Sequence, residues 1–354
     1  MKLLLNLSLT LILLLVGLYL LGTAYSVFIP VKKDLTWGLS FSPRYAKELN
    51  LDPPATFEDI LANFKVKNIR LSAYWDEIEP FDSSSTTSVT LSTGSLTAGA
   101  QGKPFYFEDL DYYINQAAKY QAQVILVLGH KIPRWPECYY PGWLDSQNNS
   151  LRQSRQLIML EEAVKHYRSF TNIAAFQIEN EPLLPFGNCQ LDSREFIKKE
   201  VDLVRSYSQK PIILSDSGEL RPWVTAMKLS DIFGTTLYRR VKTPFNFDFT
   251  YPFPPIFYSL KSALVRNLFA PQNKKTIIVE LQAEPWLFKG VTQTPIEEQT
   301  KIFNLKDLQD NIEFAEKTGF DSAYLWGVEW WYFMAKAGHP EYLEKAKALF
   351  RSKI

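Results

Sequence analysis

The feature that most constrains the fold is a regular alternation of short β-branched runs with amphipathic helical stretches, extending over about 320 residues of the 354-residue chain. This alternation is typical of a parallel sheet whose strands are joined by crossover helices. Eight strand candidates can be counted, so we predict a (β/α)8 TIM barrel. The strand candidates are 36–40, 68–72, 124–128, 174–178, 211–214, 232–237, 276–279 and 322–326. The clearest helical candidates are 107–120, 157–170, 193–208 and 297–317.

The N terminus carries a long apolar run. No residue from Leu3 to Val31 is charged, and such a run can cross about 30 Å of hydrocarbon as a helix. Its apolar core is longer than the roughly 7–15 residues of a cleaved signal peptide, and the cleavage signal near Ala24 is weak. We therefore expect a transmembrane or signal-anchor helix in 1–31 and an extracytoplasmic barrel domain in 32–354. A cleaved signal peptide with a secreted domain, and a buried soluble helix, are the alternatives.

Composition narrows the range of ligands. The 39 basic and 38 acidic residues nearly cancel, and the basic residues are scattered, which argues against nucleic-acid binding and does not favour polyanionic substrates. Aromatic residues make up 14% of the chain, and most of the nine tryptophans fall near predicted strand ends. Aromatic faces at the mouth of a barrel suit sugar rings, so we expect an oligo- or polysaccharide substrate. Several of these tryptophans can equally be core residues.

Two glutamates stand where apolar strands end. Glu181 follows the fourth strand candidate and Glu280 follows the seventh. Carboxylates at the C-terminal rim of a parallel barrel are held rigidly and can divide acid and nucleophile roles. Glu179 and Glu284 are the competing candidates, and we favour Glu181 and Glu280 because Glu280 directly follows four apolar β-formers.

The step Asn180-Glu181-Pro182 resembles the motif that ends the fourth strand in the clan of TIM-barrel retaining glycoside hydrolases, which includes endoglucanases, mannanases and β-galactosidases. This resemblance implies that Glu181 is the acid/base and Glu280 the nucleophile of a double displacement. It also implies that Asn180 binds the sugar 2-hydroxyl. No single family of the clan is indicated.

The resemblance extends to other strand ends. It implies that Arg70 on the second strand supports the nucleophile, that Tyr238 after the sixth strand hydrogen-bonds it, and that Trp326 on the eighth strand forms the floor of the sugar site. Arg70 also needs a buried partner for physical reasons, and an ion pair at the bottom of the barrel is the alternative. Thr236 departs from the pattern, because many endoglucanase relatives carry histidine there.

Four further residues are predicted sugar contacts. Trp75 follows the second strand, and Trp286 lies in the loop after the seventh. Trp135 lies in the segment Pro133-Arg134-Trp135, which we interpret as a wall of the sugar site. His130 ends the third strand and can equally be a structural histidine.

Cys138 and Cys189 fall in the loops after the third and fourth strands, so we expect a disulfide between them, with two free thiols as the alternative. The sequence indicates neither a metal set nor a cofactor motif. The segment 82–102, rich in Ser, Thr and Gly, predicts a long loop over the rim. A transglycosylase using the same residues and an envelope-anchored carbohydrate-binding pseudoenzyme are the rival functions.

Overall fold

The computed structural model describes residues 35–82, 105–242, 247–287 and 289–351, together with Gly17 and Gly22. Eight strands close into a barrel in the order β1-β10-β9-β6-β5-β4-β3-β2. Every pairing around the ring is parallel. The predicted (β/α)8 barrel is therefore confirmed. The barrel strands are β1 (Thr36–Phe41), β2 (Asn68–Ser72), β3 (Gln123–Leu128), β4 (Ile173–Ile178), β5 (Ile212–Asp216), β6 (Ile232–Leu237), β9 (Thr276–Gln282) and β10 (Ser322–Trp326).

Outside the barrel, β7 (Arg240–Lys242) and β8 (Asp248–Thr250) pair as an antiparallel hairpin beyond the end of β6. Helices cover the barrel. The described α-helices are Pro43–Glu48, Pro53–Asp59, Trp75–Ile78, Glu108–Lys119, Asn149–Tyr167, Arg194–Tyr207, Val224–Leu229, Pro255–Phe269, Ile296–Ile302, Leu305–Lys317, Val328–Lys336 and Glu341–Arg351.

One predicted helix is two helices in the structure. The pattern over 297–317 is interrupted after Ile302, and a new helix begins at Leu305. Asn304 explains the restart, because its side chain accepts the backbone N–H of Asp307 while the Asp307 carboxylate accepts that of Asn304. The prediction of a single helix was wrong because amphipathic periodicity continues across the break.

The barrel interior separates into an apolar lower part and a polar upper part. A small cluster of Ile125, Ala175, Ile213, Val279 and Tyr324, with Ile277, fills the interior. A much larger apolar cluster lies between the strands and the helices. Above this cluster the polar residues Arg70, Gln177 and Thr236 take inward positions of β2, β4 and β6, because inward-facing side chains alternate along a strand. In β9 a register shift beside Glu280 interrupts this alternation, so Glu280 directly follows the interior Val279.

Two predictions concern segments that the structure does not describe. The N-terminal helix expected in 1–31 lies outside the described residues, apart from Gly17 and Gly22, and so does the predicted loop from residue 83 onward. None of the helices in the described ranges combines the length and hydropathy needed to cross a bilayer. The expected disulfide is confirmed, with Cys138 and Cys189 bonded and their Cα atoms 5.4 Å apart.

Candidate active site

Glu280 lies inside β9, close to its C-terminal end, and only 4% of its surface is exposed. Its two carboxylate oxygens accept from different donors. Arg70 Nη1 lies 2.9 Å from Oε1, and the Tyr238 hydroxyl lies 2.9 Å from Oε2. Burial and the charge of Glu280 raise the pKa of Tyr238, so its hydroxyl stays a donor. The carboxylate is thus fixed in orientation by a cation and a hydroxyl.

Arg70 is buried inside the barrel and each of its nitrogens has a separate acceptor. Nε donates to Gln177 Oε1 at 2.8 Å, and Nη2 donates to Asn180 Oδ1 at 3.0 Å. Gln177 Nε2 in turn donates to the Glu179 carbonyl at 3.0 Å. This network ties β2, β4 and β9 together around the guanidinium. A buried arginine whose three nitrogens each donate to a different acceptor is a rigid support for the group it pairs with.

Glu181 follows β4 and has a positive φ of 45°. Its backbone N–H donates to the Ser215 hydroxyl at 3.0 Å, and its side-chain Oε1 accepts from Thr236 Oγ1 at 2.7 Å. Burial raises the pKa of Glu181 well above its usual range, and repulsion from Glu280 adds to this. A raised pKa favours the protonated form of a carboxylic acid, which a proton donor needs.

A second charged pair borders the site. Lys131 Nζ lies 2.6 Å from Glu137 Oε2 and donates to the Asn180 carbonyl at 3.1 Å. Burial raises the pKa of Glu137 to about 7, although Lys131 opposes the shift. Lys131 favours the charged form of Glu181, whereas Glu137 disfavours it. The pair therefore contributes to the electrostatic environment of Glu181.

A row of aromatic side chains leads outward from Glu280. The ring of Tyr238 lies edge-on to Trp286 with centroids 5.1 Å apart, and Phe186 lies 5.5 Å from Trp286. Trp135 contacts Phe186 at 6.0 Å, and 64% of its surface is exposed. Trp135, Phe186, Tyr238 and Trp286 follow β3, β4, β6 and β9 in turn, so four separate chain segments build one aromatic row.

The two competing glutamates have other partners. Glu179 accepts the backbone N–H groups of His130 at 3.0 Å and Lys131 at 2.6 Å, behind the rim. A Cβ on Gly129, whose φ is 142°, would lie 2.3 Å from Glu179 Oε1, so glycine is needed at that position. Glu284 pairs with Arg134 instead of Arg70.

Two predicted sugar contacts have no accessible face in this structure. Trp75 is fully buried, and its indole N–H donates to Glu79 at 2.9 Å, so the expectation of a sugar contact is not met. His130 is 3% exposed and stacks on Tyr140 with centroids 5.3 Å apart. Its Nδ1 lies 3.2 Å from Glu179 Oε1, which fits the structural alternative.

Trp326 and Trp286 are placed differently. Trp286 is partly exposed, whereas Trp326 is 7% exposed and the Arg134 guanidinium lies 4.1 Å from its ring centroid. One face of the expected sugar floor is therefore covered by this arginine.

Several contacts of the site were missed from the sequence. Gln177 is a polar residue in an otherwise apolar strand, and that signal, already used for Arg70, could have identified it. Thr236 was noted only as a departure from the clan pattern, and its contact with Glu181 was not predicted. Lys131, Glu137 and Phe186 lie in loops, where no periodicity indicates which side chains turn inward.

No protein-family model matches the chain, and no curated protein matches it in sequence. Solved structures do resemble it. An exo-β-1,4-mannosidase from Opitutaceae bacterium strain TAV5 is 12% identical with a TM-score of 0.53, over 90% of this chain and 59% of that one. A β-galactosidase from the psychrophilic Marinomonas ef1 is 12% identical with a TM-score of 0.51, over 90% of this chain and 59% of that one. A GH113 β-1,4-mannanase is 13% identical with a TM-score of 0.50, over 91% of this chain and 99% of that one.

The chain spans 59% of the length of the mannosidase and of the β-galactosidase. At 12–13% identity these likenesses show the fold. All three neighbours are glycoside hydrolases, the class that the motifs of this chain resemble.

Proposed function

We propose that this protein is a retaining glycoside hydrolase that cleaves O-glycosidic bonds of β-linked sugars, with Glu280 as nucleophile and Glu181 as acid/base. The observation that carries the proposal is that these two carboxyl groups have different environments. Glu280 is held by Arg70 and Tyr238, whereas burial and the charge of Glu280 raise the pKa of Glu181. One group is equipped to attack and the other to donate a proton.

The reaction follows from these roles. Glu280 attacks the anomeric carbon as Glu181 transfers its proton to the leaving oxygen, which gives a glycosyl-enzyme ester and a free alcohol. Glu181, now a carboxylate, takes a proton from water, and the hydroxide oxygen displaces Glu280 from the anomeric carbon. Two inversions leave the configuration unchanged. The proposal requires carboxyl groups about 5–5.5 Å apart, since a separation of roughly 6.5–9.5 Å belongs to inverting enzymes.

The aromatic row supports a carbohydrate substrate. Trp286, Phe186 and the exposed Trp135 offer apolar faces to pyranose rings, while Asn180 lies beside the pair for a contact to the 2-hydroxyl. The mannosidase, β-galactosidase and mannanase among the structural neighbours act on β-linked sugars by their names. We therefore propose β-linked oligo- or polysaccharides as substrates.

A screen tests this function directly. The domain from residue 32 onward would be incubated with aryl β-glycosides of common hexoses and pentoses, and aryl release measured against a Glu280→Ala, Glu181→Ala double variant. We expect release from at least one substrate by the native protein alone. Equal rates for native and double-variant protein would remove the proposal.

We also propose that the barrel lies outside the cytoplasm, attached through the apolar run of 1–31. The disulfide between Cys138 and Cys189 supports an oxidising compartment. Full-length protein should partition with membranes, while a version starting at Lys32 should stay in the aqueous fraction. Recovery of intact full-length protein in the aqueous fraction would contradict the anchor.

A further inference from the structure

The loop after β3 crosses the barrel mouth and ends against residues of other strands. We propose that this crossing closes the glycone side of the site, so that the enzyme removes single sugars from the non-reducing ends of its substrates. This inference rests on the proposed function. We call the crossing the Arg134 wall and define it by Arg134, Tyr45, Glu284, Trp326 and Glu329.

Arg134 is held on four sides. Nη1 pairs with Glu284, and Nη2 lies 2.8 Å from Glu329 Oε2. The guanidinium carbon lies 3.7 Å from the ring centroid of Tyr45 and 4.1 Å from that of Trp326. Two carboxylates and two aromatic faces therefore enclose one cation, and its side chain is 9% exposed. Such a planar cation fits this enclosure in a way that lysine cannot.

The wall continues over the loops after β1 and β2. Tyr139, in the same loop as Arg134, donates its hydroxyl proton to the Arg134 carbonyl at 3.1 Å. Its ring meets Tyr74 with centroids 4.6 Å apart. Arg44 lies over both rings, at 4.4 Å from Tyr74 and 4.9 Å from Tyr139, and pairs with Asp76 at 2.9 Å. The β1, β2 and β3 loops thus form one packed surface.

The ring order of the strands shows which side is closed. β3 and β9 lie opposite each other in the barrel, so the contact between Arg134 and Glu284 spans the mouth. On one side of this crossing lie β2, β1 and β10. Arg44 and Tyr45 follow β1, and Glu329 follows β10. On the other side lie β4, β5 and β6. The partners of Arg134 therefore lie along this crossing and on the β2, β1 and β10 side of it.

Proton transfer identifies the walled half as the glycone side. Glu181, which follows β4, would donate its proton to the leaving oxygen, so the leaving group must lie on the β4 side. Phe186 belongs to the same loop, and with Trp286 and Trp135 it forms the apolar row suited to a leaving group that is itself a sugar. The attacked sugar lies above Glu280, and a further sugar beyond it would meet the Arg134 wall.

The wall is anchored at both ends. Cys138 bonds to Cys189 in the loop after β4, and Lys131 pairs with Cys138 in a short antiparallel bridge. The far end is fixed by the two carboxylates around Arg134. A crossing held by a disulfide and buried ion pairs is expected to stay closed during turnover.

Paired aryl glycosides test the wall. The substrates are 4-nitrophenyl β-glycosides of glucose, mannose and galactose, and the 4-nitrophenyl glycosides of the corresponding β-1,4-linked disaccharides. First products are identified by chromatography. The native enzyme should release nitrophenol directly from a monosaccharide glycoside, and from the disaccharide glycoside it should first release one sugar and leave the aryl monosaccharide.

Two variants open the wall. Arg134→Ala removes the cation, and Tyr45→Ala removes one enclosing ring while leaving both ion pairs intact, which covers the case in which the first variant does not fold. In each, release of the intact disaccharide should appear, with the ratio of kcat/KM for disaccharide over monosaccharide glycoside rising ~10-fold or more. Arg240→Ala is the matched control, because Arg240 pairs with Asp307 at 3.4 Å on the β6–β9 side.

The outcomes separate this inference from the proposed function. If the native enzyme releases intact disaccharide as a first product, the wall proposal is wrong but the protein is still a glycoside hydrolase. The same holds if the folded wall variants keep the native ratio of kcat/KM for disaccharide over monosaccharide glycoside. A native enzyme that turns over none of these glycosides, or any aryl glycoside of the wider screen, would overturn both.

Discussion

Glu179 and Glu181 are two residues apart at the end of β4, and each belongs to a pair of buried carboxyl groups. Glu181 is paired with Glu280 at the barrel mouth, and Glu179 is paired with Glu200 of the helix Arg194–Tyr207 behind the rim. Burial raises the pKa of Glu181, and the charge of Glu280 raises it further. Burial likewise raises the pKa of Glu200, and the charge of Glu179 raises it further. Electrostatically the two pairs are therefore alike.

Their surroundings differ. Glu179 accepts two backbone N–H groups of the β3 loop, and Gln156 Nε2 donates to it at 2.6 Å and also to Glu200. The mouth pair instead meets side chains, with Arg70 and Tyr238 on Glu280 and Thr236 on Glu181. A raised pKa alone therefore does not identify a catalytic residue, and the identity of the donors and access to the mouth are needed as well.

The largest effect expected is from Glu280→Ala. Loss of the nucleophile should lower kcat on an activated aryl glycoside by ~10³-fold or more, and azide should restore part of the activity by attacking in its place. Glu179→Ala is the comparison, because any activity it loses should not return with azide. If azide restores activity to both variants, or to neither, the two carboxyl pairs do not differ in the way proposed.

Glu181→Ala should depend on the leaving group. Proton donation matters most for poor leaving groups, so the loss on an unactivated glycoside should reach ~10²–10⁴-fold and be much smaller on a dinitrophenyl glycoside. The measurement is kcat/KM across a series of aryl leaving groups. A loss independent of the leaving group would contradict the acid role.

Thr236→Val removes the hydroxyl that donates to Glu181 Oε1. This donor favours the carboxylate, so its loss should raise the pKa of Glu181 further and move the alkaline limb of the pH–kcat/KM profile to higher pH. At pH values below that limb the rate should change less than ~10-fold, because the acid is protonated there in both proteins. A limb that moves to lower pH would rule out this contact as the cause.

The smallest effect is expected behind the rim, from Glu200→Gln. The raised folded-state pKa of Glu200 means that stability is greatest below the unfolded-state pKa and declines as pH rises through the folded one. A neutral side chain removes that decline, so the variant should be more stable than native protein at pH 7–9, by about 1 kcal/mol, and similar near pH 4. Urea unfolding at both pH values, with exposed Glu58→Gln as control, measures this. Equal stability of native protein and Glu200→Gln at pH 8 would contradict a raised pKa of Glu200 in the folded state.

Much of this arrangement follows from the sequence. The strand bounds 68–72, 232–237 and 322–326 agree with β2, β6 and β10. Arg70 inside an apolar strand was expected to have an acidic or carbonyl partner, and Glu280 lies beside it. The pattern over 297–317 did not reveal the break at Asn304, because helical periodicity continues across it.

The loops could not be predicted in the same way. Arg134 was expected in a wall, but its contacts with Glu284, Glu329 and Tyr45 join chain segments that no local pattern connects. Trp75 was expected at the site because it follows a strand, yet the short helix Trp75–Ile78 turns it into the core. Side-chain direction after a strand end depends on tertiary packing, which sequence periodicity does not encode.

The most direct test of the account is the configuration of the first-formed product. Proton NMR of an aryl β-glycoside being hydrolysed distinguishes the two anomers of the released sugar before they interconvert. Double displacement by Glu280 with proton transfer from Glu181 predicts that the β-anomer appears first. Initial appearance of the α-anomer would contradict the assignment of Glu280 as nucleophile.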